Sequence, residues 1–289
     1  MIGMQGRWGA EDEAGARNLI DAEATLRGIS SVRTGQVISL AIEIEAGKQG
    51  PVPPMRSPVQ HFMTRDGGDY AAGLPEAYGF GFADDVIMLA THGTTHIDAL
   101  SHVCRGGLIY NGFSSNTITS RGAKRCGIDK LAPIVTRGIF VDLASPETDP
   151  QGEAIRRDQL EAAIARTGVA PAPGDALLVR TGWLSAWRRG QGDVMRCTGL
   201  HHDCAELILE AGFALVAADN VAVEVLPSHD PSTAVPLHLK LTWENGVYLA
   251  ELFDLEELAQ SGQNAFQLVI APLRIKGGVG SPITPIAIL

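Results

Sequence analysis

Thr91-His92-Gly93-Thr94-Thr95-His96-Ile97-Asp98-Ala99-Leu100-Ser101-His102 gathers three of the chain's eight histidines and an aspartate into a short run. Imidazole nitrogen and carboxylate oxygen are the ligands that zinc and manganese take at catalytic sites. The spacing constrains the backbone. On one helix His92 and His96 share a face, but Asp98 falls far round the barrel. On one strand all four share a face, yet a straight strand from His92 to His102 is roughly 33 Å long, too long for one ion. The reading that satisfies both limits is a strand end, a tight turn at Gly93 to Thr95, a short extended His96-Ile97-Asp98, and then a loop. His92 then sits beside His96, Asp98 points the same way, and His102 lies further off, beside the ion or on a second one. The alternative is a set of histidines each satisfied by a backbone carbonyl. Four such groups interleaved with Gly and Thr favour the site.

Outward from this motif, the composition sets bounds. The chain has 289 residues, 45% hydrophobic and 19% charged. That suits a soluble globular protein with a sizeable core, expected as one domain over residues 1–289. The formal net charge is -10, which argues against nucleic acid or an anionic membrane as partner. No apolar run approaches the roughly 18 residues that cross a bilayer. The opening MIGMQGRWGAEDE lacks the basic and apolar regions of a signal peptide. The expectation is a cytoplasmic protein acting on a small molecule. The four cysteines, Cys104, Cys126, Cys197 and Cys204, show no paired spacing and read as thiols. Cys104 near the histidines, or Cys204 after His201-His202, is a candidate nucleophile next to a base. Burial as a small hydrophobe is the stronger expectation for each.

Short apolar segments alternate with helical ones. A helix is expected from Ala22 to Val32 with Asp21 as its N-cap, and another from Arg157 to Arg166. Leu200 to Ala211 and Leu237 to Glu244 also read as helices. Strands are expected at Val37–Ile44, Val59–Met63, Ile139–Leu143, Ala176–Arg180, Ala214–Ala218, Val247–Leu252 and Phe266–Ala271, with Asp85–Ala90 delivering the histidine motif. Residues 46–85 read as a long loop whose aromatics, Phe62, Tyr70, Tyr78, Phe80 and Phe82, either line a pocket for an aromatic substrate or pack on the fold. The Gly- and Pro-rich stretch from Gly277 to Pro285 reads as an irregular tail. The pattern is mixed α/β.

The motif resembles the His-x-Gly-Thr-His-x-Asp-x-Pro-x-His signature of the cyclase family, the metal-dependent hydrolases typified by bacterial kynurenine formamidase and isatin hydrolase. The glycine stands one place earlier here, and Ala99-Leu100 replace the usual residues before Ser101-His102, while the His, Asp and His spacings are kept. Asp219-Asn220, Glu224, Pro236-Leu237-His238, Glu251-Leu252, Ala271-Pro272-Leu273-Arg274 and Gly280-Ser281-Pro282 look like the family's downstream landmarks, in the same order. The resemblance implies a swivelling β/β/α fold. It implies one or two divalent ions, Zn2+ or Mn2+, with His92, His96 and Asp98 holding one and Asp98, His238 and Glu251 a second. It implies His102 as proton shuttle, unless His102 is itself a ligand. Asp219 and Glu224 are candidates to support the ligands, with a strand-end Asp and a helix-capping or surface Glu as the alternatives. His201, His202 and His229 are left as structural or surface groups. The implied reaction is hydrolysis of an amide C–N bond in a small, cyclic or aryl-linked substrate. Its rivals are a cyclase, dehydratase or lactone hydrolase on the same scaffold, or a non-catalytic metal- or ligand-binding protein. The family further implies a homodimer or homotetramer.

Overall fold

The computed structural model describes residues 6–47, 50–145 and 152–289. The first five residues of the opening segment, and Lys48 and Gln49 of the long loop, lie outside them. Among the described residues one sheet of nine strands carries the fold. In chain order they are β1 Val37–Ser39, β2 His96–Asp98, β3 Ile134–Asp142, β4 Ala176–Arg180, β5 Leu215–Ala218, β6 Tyr248–Glu251, β7 Ala265–Ile270, β8 Gly280–Pro282 and β9 Ile286–Ile288. Their order across the sheet is β1-β9-β7-β3-β4-β5-β6-β2-β8.

The four central strands, β3 to β6, run parallel, and the flanks are antiparallel. Parallel strands are covered on both faces, which is why they read as unbroken apolar runs. Leu177, Leu178, Leu215, Val216 and Leu249 are all buried. Helix α1, Ala22–Ser30, packs on β3 and β7. The Asp21 side chain accepts the Ala24 N–H at 2.8 Å, the cap read from the sequence. Gly28 sits mid-helix because a Cβ there would meet the Thr136 backbone at 2.7 Å, so a glycine brings the helix onto the sheet. On the outer layer α2, Arg157–Arg166, packs on α3, Cys204–Glu210.

The sheet curls until its margins meet. Strands β8 and β9 belong to opposite sides of it, yet only residues 283–285 separate them. Past the end of β1, Ala41 pairs with Phe253, and Leu40 accepts from Asp254 N at 2.9 Å. This closure carries Ile42 to the histidine motif, where its N–H donates to Thr95 Oγ1 at 2.9 Å.

Four expectations are corrected. Asp84–Met88 is a strand, but not a buried one. It pairs with Gln60–Arg65 in a separate hairpin, and all five of its residues are exposed. Of the aromatics of that region, Tyr70 is half-buried with its hydroxyl bonded to the Phe82 backbone, and the other four stand exposed. Phe62, Phe80 and Phe82 are 56%, 65% and 43% exposed, and Tyr78 is fully so. The tail from Gly277 is irregular over residues 277–279 and 283–285 but carries β8 between them and leads into β9. Two three-residue strands flanked by glycine and proline carry no readable periodicity. Finally, Leu237–Glu244 divides into a helical turn at Pro236–His238 and a wider turn at Leu239–Trp243.

Candidate metal centre

The chain bends at Gly93 to Thr95, where the turn was read, directly after a hydrogen-bonded turn through Thr91 and His92. Gly93 N donates to Ala90 O at 2.8 Å, and a three-residue strand follows. Strand β2 lies between β6 and β8, in register so that Glu251 stands opposite His96 and Gly280 opposite Asp98. Alternation sends His96 and Asp98 to one face and Ile97 into the core. Thr95 fastens the turn by donating to Leu252 O at 2.6 Å, one residue beyond Glu251. Gly280 is a glycine for a local reason. A Cβ there would run into the His92 ring.

Two groups of ligand atoms result, His92-His96-Asp98 and Asp98-His238-Glu251, each with its atoms within 4.8 Å of one another. Asp98 belongs to both. Its Oδ1 lies 3.2 Å from His92 Nε2 and 3.6 Å from His96 Nε2, and its Oδ2 lies 3.7 Å from His238 Nε2. Glu251 spans the same gap, with Oε2 3.2 Å from His96 Nε2 and Oε1 3.4 Å from His238 Nε2. All five side chains are buried.

Each imidazole is held by its far nitrogen. His96 Nδ1 faces the Thr94 carbonyl at 2.8 Å, His92 Nδ1 the Thr91 hydroxyl at 3.1 Å, and His238 Nδ1 the Glu224 carboxylate at 2.5 Å. A proton on Nδ1 leaves the Nε2 lone pair facing inward, the second-sphere pattern of ligating histidines. Inside, His92 Nε2, His96 Nε2 and Asp98 Oδ1 are buried with no hydrogen-bond partner. Buried polar atoms are ordinarily satisfied, and a divalent cation satisfies these three together. The donor set of imidazoles and carboxylates fits zinc or manganese.

Without a cation the cluster holds its own charge balance. Burial pushes His96 down, but Glu251 and Asp98 outweigh it and the net shift is upward. His238 is likewise opposed by burial and still lies well above the usual imidazole range because of Glu224 and Glu251. Burial works to raise Asp98 and Glu251. The imidazoles win, His102, His92 and His96 for Asp98 and His238 and His96 for Glu251, and both carboxyls are held below their ordinary values.

His102 lies beside both ligand groups. Its ring stacks on His92 with centroids 4.1 Å apart. Burial, with His92 and His238 adding to it against Asp98, pushes its pKa down to about 4. At neutral pH it is a free base.

The remaining candidates sort by geometry. Glu224 both supports His238 and caps the helical turn that carries it, accepting from Leu237 N and His238 N at 3.0 Å each. Support and cap are therefore both met, while the surface reading fails because Glu224 is buried. Asp219 touches no ligand. Burial pushes it up to about 6, and its oxygens accept from Thr181 N, Thr181 Oγ1 and Gly182 N. It is the strand-end Asp of the alternative. Cys204 is buried and pushed up to about 12, which removes it as a nucleophile, while Cys104 is exposed. His201, His202 and His229 cluster apart from the centre, with the His201 ring tilted against His202 at 4.0 Å between centroids and Arg156 donating to His201. The supports from Thr91 and Thr94 escaped the sequence reading, although Thr94 stands in the Gly-Thr-Thr run between the histidines and Thr91 immediately before the first of them.

Backbone strain gathers here. Among the described non-glycine residues with positive φ are Val223 and Leu252, each at 58°. One precedes Glu224 and the other follows Glu251. For a β-branched residue such as Val this is a genuine outlier, tolerated where the surroundings over-determine it.

A curled mixed α/β sheet that buries a histidine–carboxylate cluster beside a free-base histidine defines the class. The cyclase family model matches residues 38–225, and the chain belongs to that family. A solved structure described as a novel cyclase is 36% identical, covers 100% of both chains and superposes with a TM-score of 0.91. Isatin hydrolase A from Labrenzia aggregata, at 18% identity, covers 90% of this chain and 95% of its own, with a TM-score of 0.68. Isatin hydrolase A from Ralstonia solanacearum, at 20% identity, covers 88% and 92%, with a TM-score of 0.65. These two share the fold. No curated protein sequence matches the chain. Among the described residues no helix is long and apolar enough to cross a membrane.

Proposed function

We propose that this protein is a metal-dependent hydrolase that opens or cleaves the amide C–N bond of a small, cyclic or aryl-linked substrate. The observation that carries the reading is the set of three partnerless buried atoms, His92 Nε2, His96 Nε2 and Asp98 Oδ1, converging beside the free-base ring of His102. His92, His96 and Asp98 would hold one divalent ion, Zn2+ or Mn2+, and Asp98, His238 and Glu251 a second. When bound, such an ion acidifies water and polarises a carbonyl oxygen. The chain's own groups do the rest. Asp98 and Glu251 supply negative charge that fixes a cation in a cavity of low dielectric. Thr91, Thr94 and Glu224 keep the imidazoles in one tautomer. His102, uncharged at neutral pH, takes a proton from the attacking water and returns it to the leaving nitrogen.

The protein is further proposed to work in the cytoplasm as a homodimer or homotetramer. The hairpin Gln60–Arg65/Asp84–Met88 supports the assembly. A lone two-stranded hairpin is marginal in water, and this one exposes Phe62, Met63, Val86, Ile87 and Met88. An apolar surface of that kind marks a contact with another molecule.

The test is a metal-reconstituted assay with a model aryl amide and a cyclic amide, following acid release. New carboxylic acid supports the hydrolase. Loss of water or ring closure without acid would assign a cyclase or dehydratase instead. Metal uptake with no turnover on amide, lactone or hydroxy-acid substrates would leave a binding protein.

A further inference from the structure

We propose that Glu224 is the positioning residue of the second ion subsite, Asp98-His238-Glu251, and that neutralising it unloads this subsite while sparing the first. The inference rests on the metal-site reading above. It starts from an asymmetry among the three imidazoles. His92 and His96 each have a neutral oxygen behind Nδ1, the Thr91 hydroxyl and the Thr94 carbonyl. Only His238 has a full carboxylate there, Glu224 Oε1 at 2.5 Å. A carboxylate behind a histidine fixes its tautomer and raises its basicity as a ligand.

The same carboxylate takes the backbone N–H groups of Leu237 and His238 at 3.0 Å each. Ring and main chain of one residue are thus clamped by one group. That aims Nε2 at Glu251 Oε1, 3.4 Å away, and at Asp98 Oδ2, 3.7 Å away. Capping alone does not account for the arrangement, since a short Ser, Thr or Asp side chain caps a turn as well.

The placement of Glu224 is itself tightly determined. Leu200 N donates to Val223 O at 3.0 Å, and Val225 N returns to Leu200 O at 3.1 Å. Asn220 Nδ2 ties the loop to Thr198 O at 2.7 Å. Gly199 passes so close that a Cβ there would collide with the Glu224 backbone. Val223, buried and at φ 58°, is held in a region a β-branched residue avoids. Strain kept immediately before one side chain points to that side chain's aim. With glutamine at 224, one carbonyl oxygen must serve donors that two carboxylate oxygens now share, and the amide NH2 meets an N–H. His238 is then free to carry its proton on Nε2, where it blocks the lone pair an ion needs.

The experiment titrates metal-free protein with Co2+ and with Zn2+. It reads bound equivalents by mass spectrometry and the cobalt d–d absorption, with near-ultraviolet circular dichroism as the fold check. Wild type is expected to take two equivalents. Glu224→Gln is expected to keep one and to bind the second about 10–100-fold more weakly. His238→Ala loses the second outright, and His92→Ala weakens the first. If Glu224→Gln does not fold, Glu224→Asp carries the test. It keeps an acceptor for the backbone N–H groups but falls short of Nδ1, and the same weakening is expected. Two equivalents bound with wild-type affinity in the folded variant would overturn the proposal, and so would a wild type that takes only one. A wild type that takes no ion would overturn the metal-site reading itself.

Discussion

The metal centre and the hairpin reverse the usual placement of residues. At the centre five ionisable side chains are buried. Along Asp84–Met88 and Gln60–Arg65, apolar side chains stand in water. Buried charge is costly unless paired, and exposed apolar surface of this extent is uncommon on a monomer. Each region therefore lacks something the chain does not supply. For the centre it is a cation, because the unsatisfied atoms are imidazole nitrogen and carboxylate oxygen. For the hairpin the proposed complement is protein, because what it exposes is aromatic and aliphatic. The two regions are contiguous in sequence, with Met88 four residues before His92. Residue type alone does not reveal which side of the fold a segment takes.

The comparison can be sharpened first at His102. His102→Ala should lower kcat by about 10²–10⁴-fold while metal content stays at the wild-type level. A parallel loss of metal would place His102 among the ligands instead. The next effect is on stability. Ile97, fully buried between the two ligands of β2, should cost about 2–5 kcal/mol on truncation to Ala. Val86→Ala on the hairpin should stay within about 0.5 kcal/mol at concentrations where the chain is monomeric. Denaturant melts of both variants make the contrast, and equal costs would break it. Third, Phe80→Asp with Val86→Asp should reduce the mass seen by light scattering towards the monomer. An unchanged mass would show that the hairpin is not the contact.

The smallest effect is a pH dependence. In metal-free protein His96 and His238 lie above the imidazole value of 6.5. The stability they add is complete below about 6.5 and is lost as pH rises through their raised values. Asp98 and Glu251 lie below 3.8 and 4.5. Their contribution is present above those values and fades as pH falls. Metal must displace the imidazole protons. Apparent affinity should therefore rise with pH, by about tenfold per unit for each proton displaced. Calorimetry in buffers of different ionisation enthalpy would register the release, and pH-independent binding would contradict it.

What the sequence made legible follows from range. His92, His96 and Asp98 lie within seven residues, so ligand chemistry and strand parity alone brought them together. The parallel strands were legible as apolar runs because both faces are covered. Ala176–Arg180 was read to the residue. Glu251 reaches the centre through β6 pairing beside β2 and His238 through a helical turn held by the distant Glu224, long-range placements that no local pattern encodes, and both were placed by family likeness. Strands β8 and β9 were hidden because three residues among glycine and proline show no period. The strands of the hairpin were legible but their exposure was not, because an apolar strand has one appearance whether or not its own sheet covers it. Glu224 could be read as a cap or as a support because it is both.

The most direct test of the central claim is elemental analysis of protein purified without added metal or chelator, beside His96→Ala. The account predicts one or two equivalents of zinc or manganese in the wild type, and loss of at least the His92-His96-Asp98 ion in the variant. No metal in either protein, with none taken up on addition, would contradict it.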